Sequence, residues 1–201
     1  MNWKLKDIKK ETNHPFLNFY TVTYEVDKNG TKYDYSYFMS SRHEKGQLVC
    51  ETDDTSHPDG VLMPLYYINP KTNEISLLVT KQFRPALNKY VSSFPAGLID
   101  GDEDIETTAH REAMEEAGVT IDDLELICPP SPTSSGLTDE LNAIVMARIT
   151  GFANKNLEKF EDINTELVPL KDIEQYMDNH FFAMQIRLVI KYILLKFKGR
   201  Y

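Results

Sequence analysis

Cysteine is scarce in this chain. Cys50 and Cys128 are the only two among 201 residues. Two isolated thiols build no disulfide framework, so a reducing setting, the cytoplasm, is expected. Long apolar runs are missing as well: none reaches the roughly 18 residues that a membrane-spanning helix needs. The start, MNWKLKDIKKE, lacks the apolar core of a secretory signal. Positive charge is in short supply, with 22 Lys and Arg against 31 Asp and Glu and a net charge of −9. The resulting pI near 5.1 excludes nucleic acid and anionic membrane as expected partners, because binding phosphate by surface charge requires a basic face. An acidic protein can still take an anionic substrate where a metal ion neutralises it locally. Glycine follows no GxGxxG pattern and no segment repeats, so a Rossmann-type nucleotide site is not indicated.

What is present is an ordinary globular composition, 41% hydrophobic and 26% charged, in a chain long enough for one good core and a small appendage. Phe19–Val26 and Thr31–Met39 are rich in aromatic and β-branched residues and flank Asn29-Gly30, a strong hairpin signal. Tyr20, Val22, Tyr24 and Val26 share one face of the first strand, and Tyr33, Tyr35 and Tyr37 share a face of the second. A hairpin alone is marginal in water, so this one is expected to pack on the main domain or on another subunit. The polar stretch Glu51–Gly60 reads as a linker, with His57 solvated in it. The expected division is therefore a β module over residues 1–57 and a main domain over 58–201. In the main domain, Val61–Ile68 and Glu74–Phe83 read as a hairpin around Asn69–Asn73, Tyr90–Phe94 as a short strand, and Leu124–Cys128 and Leu141–Ile149 as two more. Helices are expected over Asp172–Asp178 and Phe182–Phe197, the second covering the sheet. Strands mixed with helices give an α+β class or an α/β/α sandwich.

The densest signal lies between Gly97 and Val119. A helix is expected over Asp104–Ala117, with Gly118 ending it in a left-handed conformation. On it Glu112, Glu115 and Glu116 stand at i, i+3 and i+4 and share a face. Like charges at these spacings repel by a few tenths of a kcal/mol per pair, and carboxylates near a helix C-terminus oppose its dipole by roughly 0.3–1 kcal/mol each. Arg111 and His110 are expected to leave the helix in other directions. A bound divalent cation would offset the repulsion, and hard oxygen donors without Cys or His point to Mg²⁺ or Mn²⁺. Taken alone, the same run also fits a solvated acidic face.

The surrounding spacing decides between them. Gly97, five residues, Glu103, seven residues and then Arg111-Glu112-Ala113-Met114-Glu115-Glu116-Ala117-Gly118-Val119 resembles the Nudix box at every defining position. The resemblance implies a Nudix hydrolase that holds divalent metal against a diphosphate. It casts Glu112, Glu115 and Glu116 as metal ligands, Glu103 and Arg111 as an ion pair tying loop to helix, and Gly97 and Gly118 as backbone positions. Gln82-Phe83-Arg84-Pro85 and Phe94-Pro95-Ala96-Gly97-Leu98-Ile99-Asp100 are similar to the ADP-ribose pyrophosphatase branch. That likeness extends over nearly the whole chain.

From this branch the resemblance implies a Nudix fold, an α/β/α sandwich with a mixed sheet, preceded by a small antiparallel β module that mediates a homodimer and contributes to the substrate pocket. Ala96 would offer its carbonyl to the metal, Arg84 would contact the diphosphate, and Leu98 would line the pocket. Tyr37 and Arg42 stand where a base-stacking aromatic and its arginine would be. The loop Ser134–Glu140 is similar to the family's Ser-Pro-Gly loop, with Glu140 as leading base and Glu115 as second. Ser135 departs from that pattern, since proline there marks ADP-ribose preference. The implied reaction is Mg²⁺-dependent hydrolysis of a nucleoside diphosphate sugar, with ADP-ribose giving AMP and ribose 5-phosphate. The alternatives are another sugar nucleotide, or a non-catalytic sensor that binds ADP-ribose.

Overall fold

The computed structural model describes residues 1–157 and 162–200. By packing, the chain divides into one unit of Met1–Asp59 with Pro130–Asn142 and a second of Gly60–Pro129 with Ala143–Tyr201. The division expected from sequence puts Pro130–Asn142 with the main domain; by packing it belongs with the first unit. That excursion returns to the first unit because its loop hydrogen-bonds to the third strand there, with Ser40 N–H donating to the Leu137 carbonyl at 2.8 Å.

The first unit is a three-stranded antiparallel sheet of β1 (Asn2–Lys10), β2 (Asn18–Lys28) and β3 (Thr31–Ser41), in that order. The hairpin is therefore completed by a strand that sequence reasoning missed. Its signal is masked because a bulge between Leu5 and Asp7 breaks the period-2 alternation of Trp3, Leu5 and Ile8. Ile8, Tyr20 and Val22 form a small core with Leu48, flanked by Tyr24 and Met39. The expected linker begins as a short helix, α1 (Val49–Thr52), reached just after Leu48.

The second unit is built on an eight-stranded mixed sheet whose main path runs β11-β6-β5-β10-β4-β8, with β7 paired to β6 and β9 to β10. These strands are β4 (Gly60–Leu62), β5 (Leu65–Ile68), β6 (Ile75–Arg84), β7 (Lys89–Ser93), β8 (Ala96–Leu98), β9 (Val119–Pro132), β10 (Leu141–Phe152) and β11 (Ile163–Pro169). The stretch Val61–Ile68, expected to be one strand, is two. Pro64, which has no N–H for a ladder, separates β4, which pairs with β8, from β5, which pairs with β6. Strand β11 was not foreseen, since Ile163, Leu167 and Val168 are spread among polar residues and are closed by Pro169.

Alternation along the strands divides the core between two faces. Ile75, Leu77 and Val79 join Leu62 and Met146 in one cluster with α3 (Ile173–Asn179) and α4 (Met184–Lys196). Leu78, Val61, Val145 and Ala147 face the other way, onto Ala109, Ala113 and Ala117 of α2 (Ile105–Ala117). The sheet thus lies between helices, and the expected mixed-sheet sandwich with its antiparallel N-terminal module is what the structure has.

Candidate active site

Helix α2 begins where the sequence places it. The Asp104 carboxylate accepts from the Thr107 N–H at 2.7 Å, an N-cap that satisfies one of the orphan donors of the first turn. Its C-terminal end depends on Gly118, at φ 64°, whose N–H bonds back to the Ala113 and Met114 carbonyls. The alanine stripe Ala109, Ala113 and Ala117 is buried against the sheet, and small side chains there let the helix axis approach closely. The neighbouring face, with Glu112, Glu115 and Glu116, is thereby held beside β8. Gly118→Ala is expected to lower stability by about 1–3 kcal/mol, because a Cβ would require left-handed strain and would stand 2.6 Å from the Ala153 carbonyl oxygen. A urea midpoint equal to that of the native protein would contradict this.

Between α2 and the strands lies a cavity of about 300 Å³ lined by Gln82, Arg84, Ala96, Leu98, Glu112 and Glu116, with Gly97, Asp100, Arg111, Glu115 and Asn156 completing its wall. Arg84 ends β6, and Ala96 and Leu98 are the first and last residues of β8. Glu116 is buried at 8% exposure, which a carboxylate tolerates only with partners. One of them is the Ala96 N–H, at 3.0 Å. Asp100, Gln82 and Asn156 were not singled out from sequence. Gln82 carries a signal, two residues from Arg84 on one strand face. Asn156 carries none, because it arrives from a loop whose backbone N–H donates to the Glu115 carbonyl.

Arg111 differs from expectation. Its Nε and Nη2 bond Glu103 at 2.9–3.2 Å and Nη2 also reaches the Leu98 carbonyl at 3.0 Å. Its Nη1, however, turns to Glu112 at 2.7 Å and Glu115 at 3.1 Å. The long guanidinium arm does not leave the acidic face; it spans one helical turn to the i+4 carboxylate. The hydrogen bonds from Arg111, joined by one from Thr108, hold the Glu103 carboxyl below its usual range despite some desolvation. Glu103 in turn holds the guanidinium even more firmly protonated than usual.

With Glu112 and Glu115 drawn to Arg111 and Glu116 bonded to the strand, no group of three His, Cys, Asp or Glu among the described residues is set as a finished metal cage. The donor chemistry nevertheless fits a hard divalent cation: three carboxylates and a strand backbone, with no sulfur or imidazole. Gly97 strengthens the fit, for a Cβ there would fall 1.9 Å from the Glu112 carboxyl. The Glu112 carboxylate occupies the space of a missing side chain, directly against the Ala96-Gly97 backbone.

The remaining sequence-derived residues belong to the first unit. Tyr37 Oη donates to the Gly136 carbonyl at 2.6 Å, and its ring stacks beside Tyr35 at 6.3 Å. Arg42 Nε donates to Glu140 Oε2 at 3.0 Å. Tyr37, in β3, and Arg42, just after it, thus each donate to the loop that contains Ser135, Tyr37 to Gly136 and Arg42 to Glu140. Ala96, Leu98, Arg84, Glu103, Arg111, Glu112, Glu115 and Glu116 are brought together in the second unit.

A family model described as the NUDIX domain matches residues 57–185 of this chain. The chain belongs to the Nudix family. Among relatives of this Nudix protein, an ADP-ribose pyrophosphatase of Bacillus subtilis is 30% identical over 128 residues, covering 62% of this chain and 69% of that one. An ADP-ribose pyrophosphatase of Saccharomyces cerevisiae is 49% identical over 59 residues, 29% of this chain and 25% of the yeast protein. The match thus spans only a quarter of the yeast protein's length. A solved structure titled as that of an ADP compounds hydrolase superimposes with a TM-score of 0.68 at 18% identity, covering 100% of this chain and 98% of that one. This last likeness is one of fold.

Proposed function

We propose that this Nudix protein hydrolyses the diphosphate of a nucleoside diphosphate sugar, with ADP-ribose as first candidate, in the presence of Mg²⁺ or Mn²⁺. The observation that carries the proposal is the packing of the Glu112 carboxylate against Gly97, in one cavity with Glu115, Glu116 and Arg84. The named relatives with ADP-ribose pyrophosphatase activity support the substrate class.

Water adds across the P–O–P linkage: one bond from the bridging oxygen to phosphorus breaks as one from water forms. ADP-ribose gives AMP and ribose 5-phosphate. A divalent ion, when bound, supplies neutralisation of the diphosphate and acidifies the attacking water. Glu112, Glu115, Glu116 and the Ala96 carbonyl are assigned to hold it. Arg84 is assigned to the diphosphate, which a guanidinium can grip through two hydrogen bonds and whose developing charge it can stabilise. Glu103 anchors Arg111, so that Arg111 can release Glu112 and Glu115 to the ion without leaving the loop. Leu98 is assigned to the pocket wall, and Tyr37 and Arg42 to the base. Glu140 is assigned as base, with Glu115 second.

The N-terminal module is assigned to a homodimer contact. Trp3 and Tyr33, 50% and 56% exposed, favour a partner on its aromatic face. Among the described residues no helix is long and apolar enough to cross a membrane, and a cytoplasmic setting remains our assignment.

Ser135 favours one second reading, a different sugar nucleotide on the same chemistry. A turnover panel of ADP-ribose, other sugar nucleotides, dinucleoside polyphosphates and nucleoside triphosphates with Mg²⁺ separates them. ADP-ribose is expected to give the largest kcat/KM. A triphosphate that leads the panel would overturn the substrate assignment.

A further inference from the structure

We propose that Asp59, acting with His43, is a positioning residue for Glu140: one buried carboxylate holds the residues that follow Arg42 and Glu140 in the chain, and so sets that pair's geometry. This deepens the proposed hydrolysis and rests on the reading of Glu140 as base.

The Arg42 contact alone is a weak way to aim a carboxylate. It is a single hydrogen bond, Nε to Oε2 at 3.0 Å, between side chains 36% and 23% exposed, and such pairs are screened and loosely held. The other oxygen, Oε1, accepts from the Thr133 hydroxyl at a long 3.3 Å. The loop exposes Ser134, Ser135, Gly136 and Leu137 to solvent, and its bonds to β3 are made at Gly136 and Leu137, four and three residues before Glu140.

Asp59 supplies what the exposed contact lacks. Its side chain is 9% exposed. The Leu141 N–H donates to its Oδ2 at 2.7 Å, and its own N–H donates to the Leu141 carbonyl at 2.7 Å. The residue after Glu140 is thereby fixed through both backbone polar groups. The other oxygen, Oδ1, meets His43 Nε2 at 2.9 Å, and His43 is the residue after Arg42. A single carboxylate thus brackets both members of the Arg42 and Glu140 pair. Buried charge-assisted bonds are stronger than exposed ones, so the bracket rather than the surface contact sets the geometry.

The electrostatics agree. Burial would push Asp59 upward, yet hydrogen bonds from His43 and the Leu141 N–H, with Arg42 nearby, hold it below the usual carboxylate range. The hydrogen bond to Asp59 raises His43 against its own desolvation, with Asp139 adding to the rise. The groups facing His43 are Asp59 and Asp139, and those facing Asp59 are His43 and Arg42. The His43 contribution is complete below its unfolded value and is lost as pH rises through the raised folded value. That of Asp59 is complete above its unfolded value and is lost as pH falls through the lowered one. Both are present between the ordinary Asp and His values.

The test uses the full chain with ADP-ribose and Mg²⁺. Asp59→Asn is expected to lower kcat about tenfold or more with KM within about twofold, since a displaced catalytic group costs rate rather than binding. Amide hydrogen exchange at Glu140 and Leu141 should quicken in that variant. His43→Gln keeps an N–H donor but cannot titrate, so the alkaline limb of kcat that follows His43 in the native protein should disappear. Asp59→Asn that is folded by circular dichroism and keeps native kcat, or a His43→Gln pH profile identical to the native one, overturns the inference. Glu140→Gln separates the two levels. If it turns over normally, the base reading fails; if it is inactive while Asp59→Asn is fully active, only the inference fails.

Discussion

Glu116→Gln is expected to reduce ADP-ribose turnover by about 10²–10³-fold or more, the scale on which a single pre-organised electrostatic contact acts in a water-poor site. The fold should survive. Glutamine matches glutamate in shape, and its amide oxygen can still accept the Ala96 N–H that lies 3.0 Å from Glu116. What is lost is the charge, and with it one ligand of the proposed metal site. Mn²⁺ affinity should therefore fall together with kcat, while the far-ultraviolet circular dichroism stays native. A folded variant with near-normal turnover would remove Glu116 from the metal assignment.

The second large effect is expected of Gly97→Ala. The new Cβ would stand 1.9 Å from Glu112 Cδ and Oε1, far inside contact distance, so something must move. The atoms in the way are the far end of a flexible side chain, and the stability cost should be modest. The displaced group, however, is a carboxylate assigned to the metal. A misplacement of about 1 Å at a reacting centre can cost about 10²-fold in rate, and a loss of that order in kcat is expected with a urea midpoint close to native. The split between activity and stability is the readout. Equal losses in both would mean that Gly97 serves the strand rather than the site.

These two residues also show why the site was more legible than its surroundings. Glu112, Glu115 and Glu116 lie within one helical turn, so their common face follows from helix geometry, as do the Asp104 cap and the Gly118 stop. The Arg111 contacts did not follow, because a side chain with four rotatable bonds can turn either to Glu103 or along its own helix, and here it does both. Asn156 enters the cavity wall from a loop far along the chain, held by the Glu115 carbonyl, and no local pattern encodes that. The fold shows the same contrast. Strands β2 and β3 carried clear alternation and β10 a continuous apolar run from Ala143 to Ala147, whereas the β1 bulge at Leu5 and Asp7 shifts the phase, and Pro64 divides an apolar stretch that reads as continuous. The Asp59 bracket depends on pairing the polar stretch Glu51–Gly60 with a residue more than eighty positions later, a contact that only the folded chain displays.

The central claim is that this site cleaves a diphosphate, and ³¹P nuclear magnetic resonance of ADP-ribose incubated with the protein and Mg²⁺ tests it most directly. The account predicts that the two coupled diphosphate resonances are replaced by two phosphomonoester resonances, those of AMP and ribose 5-phosphate, and that Glu116→Gln slows this conversion by the factor given above. Diphosphate resonances that broaden on binding yet persist through prolonged incubation with Mg²⁺ or Mn²⁺ would contradict it, and would make the protein a binder of ADP-ribose instead of a hydrolase.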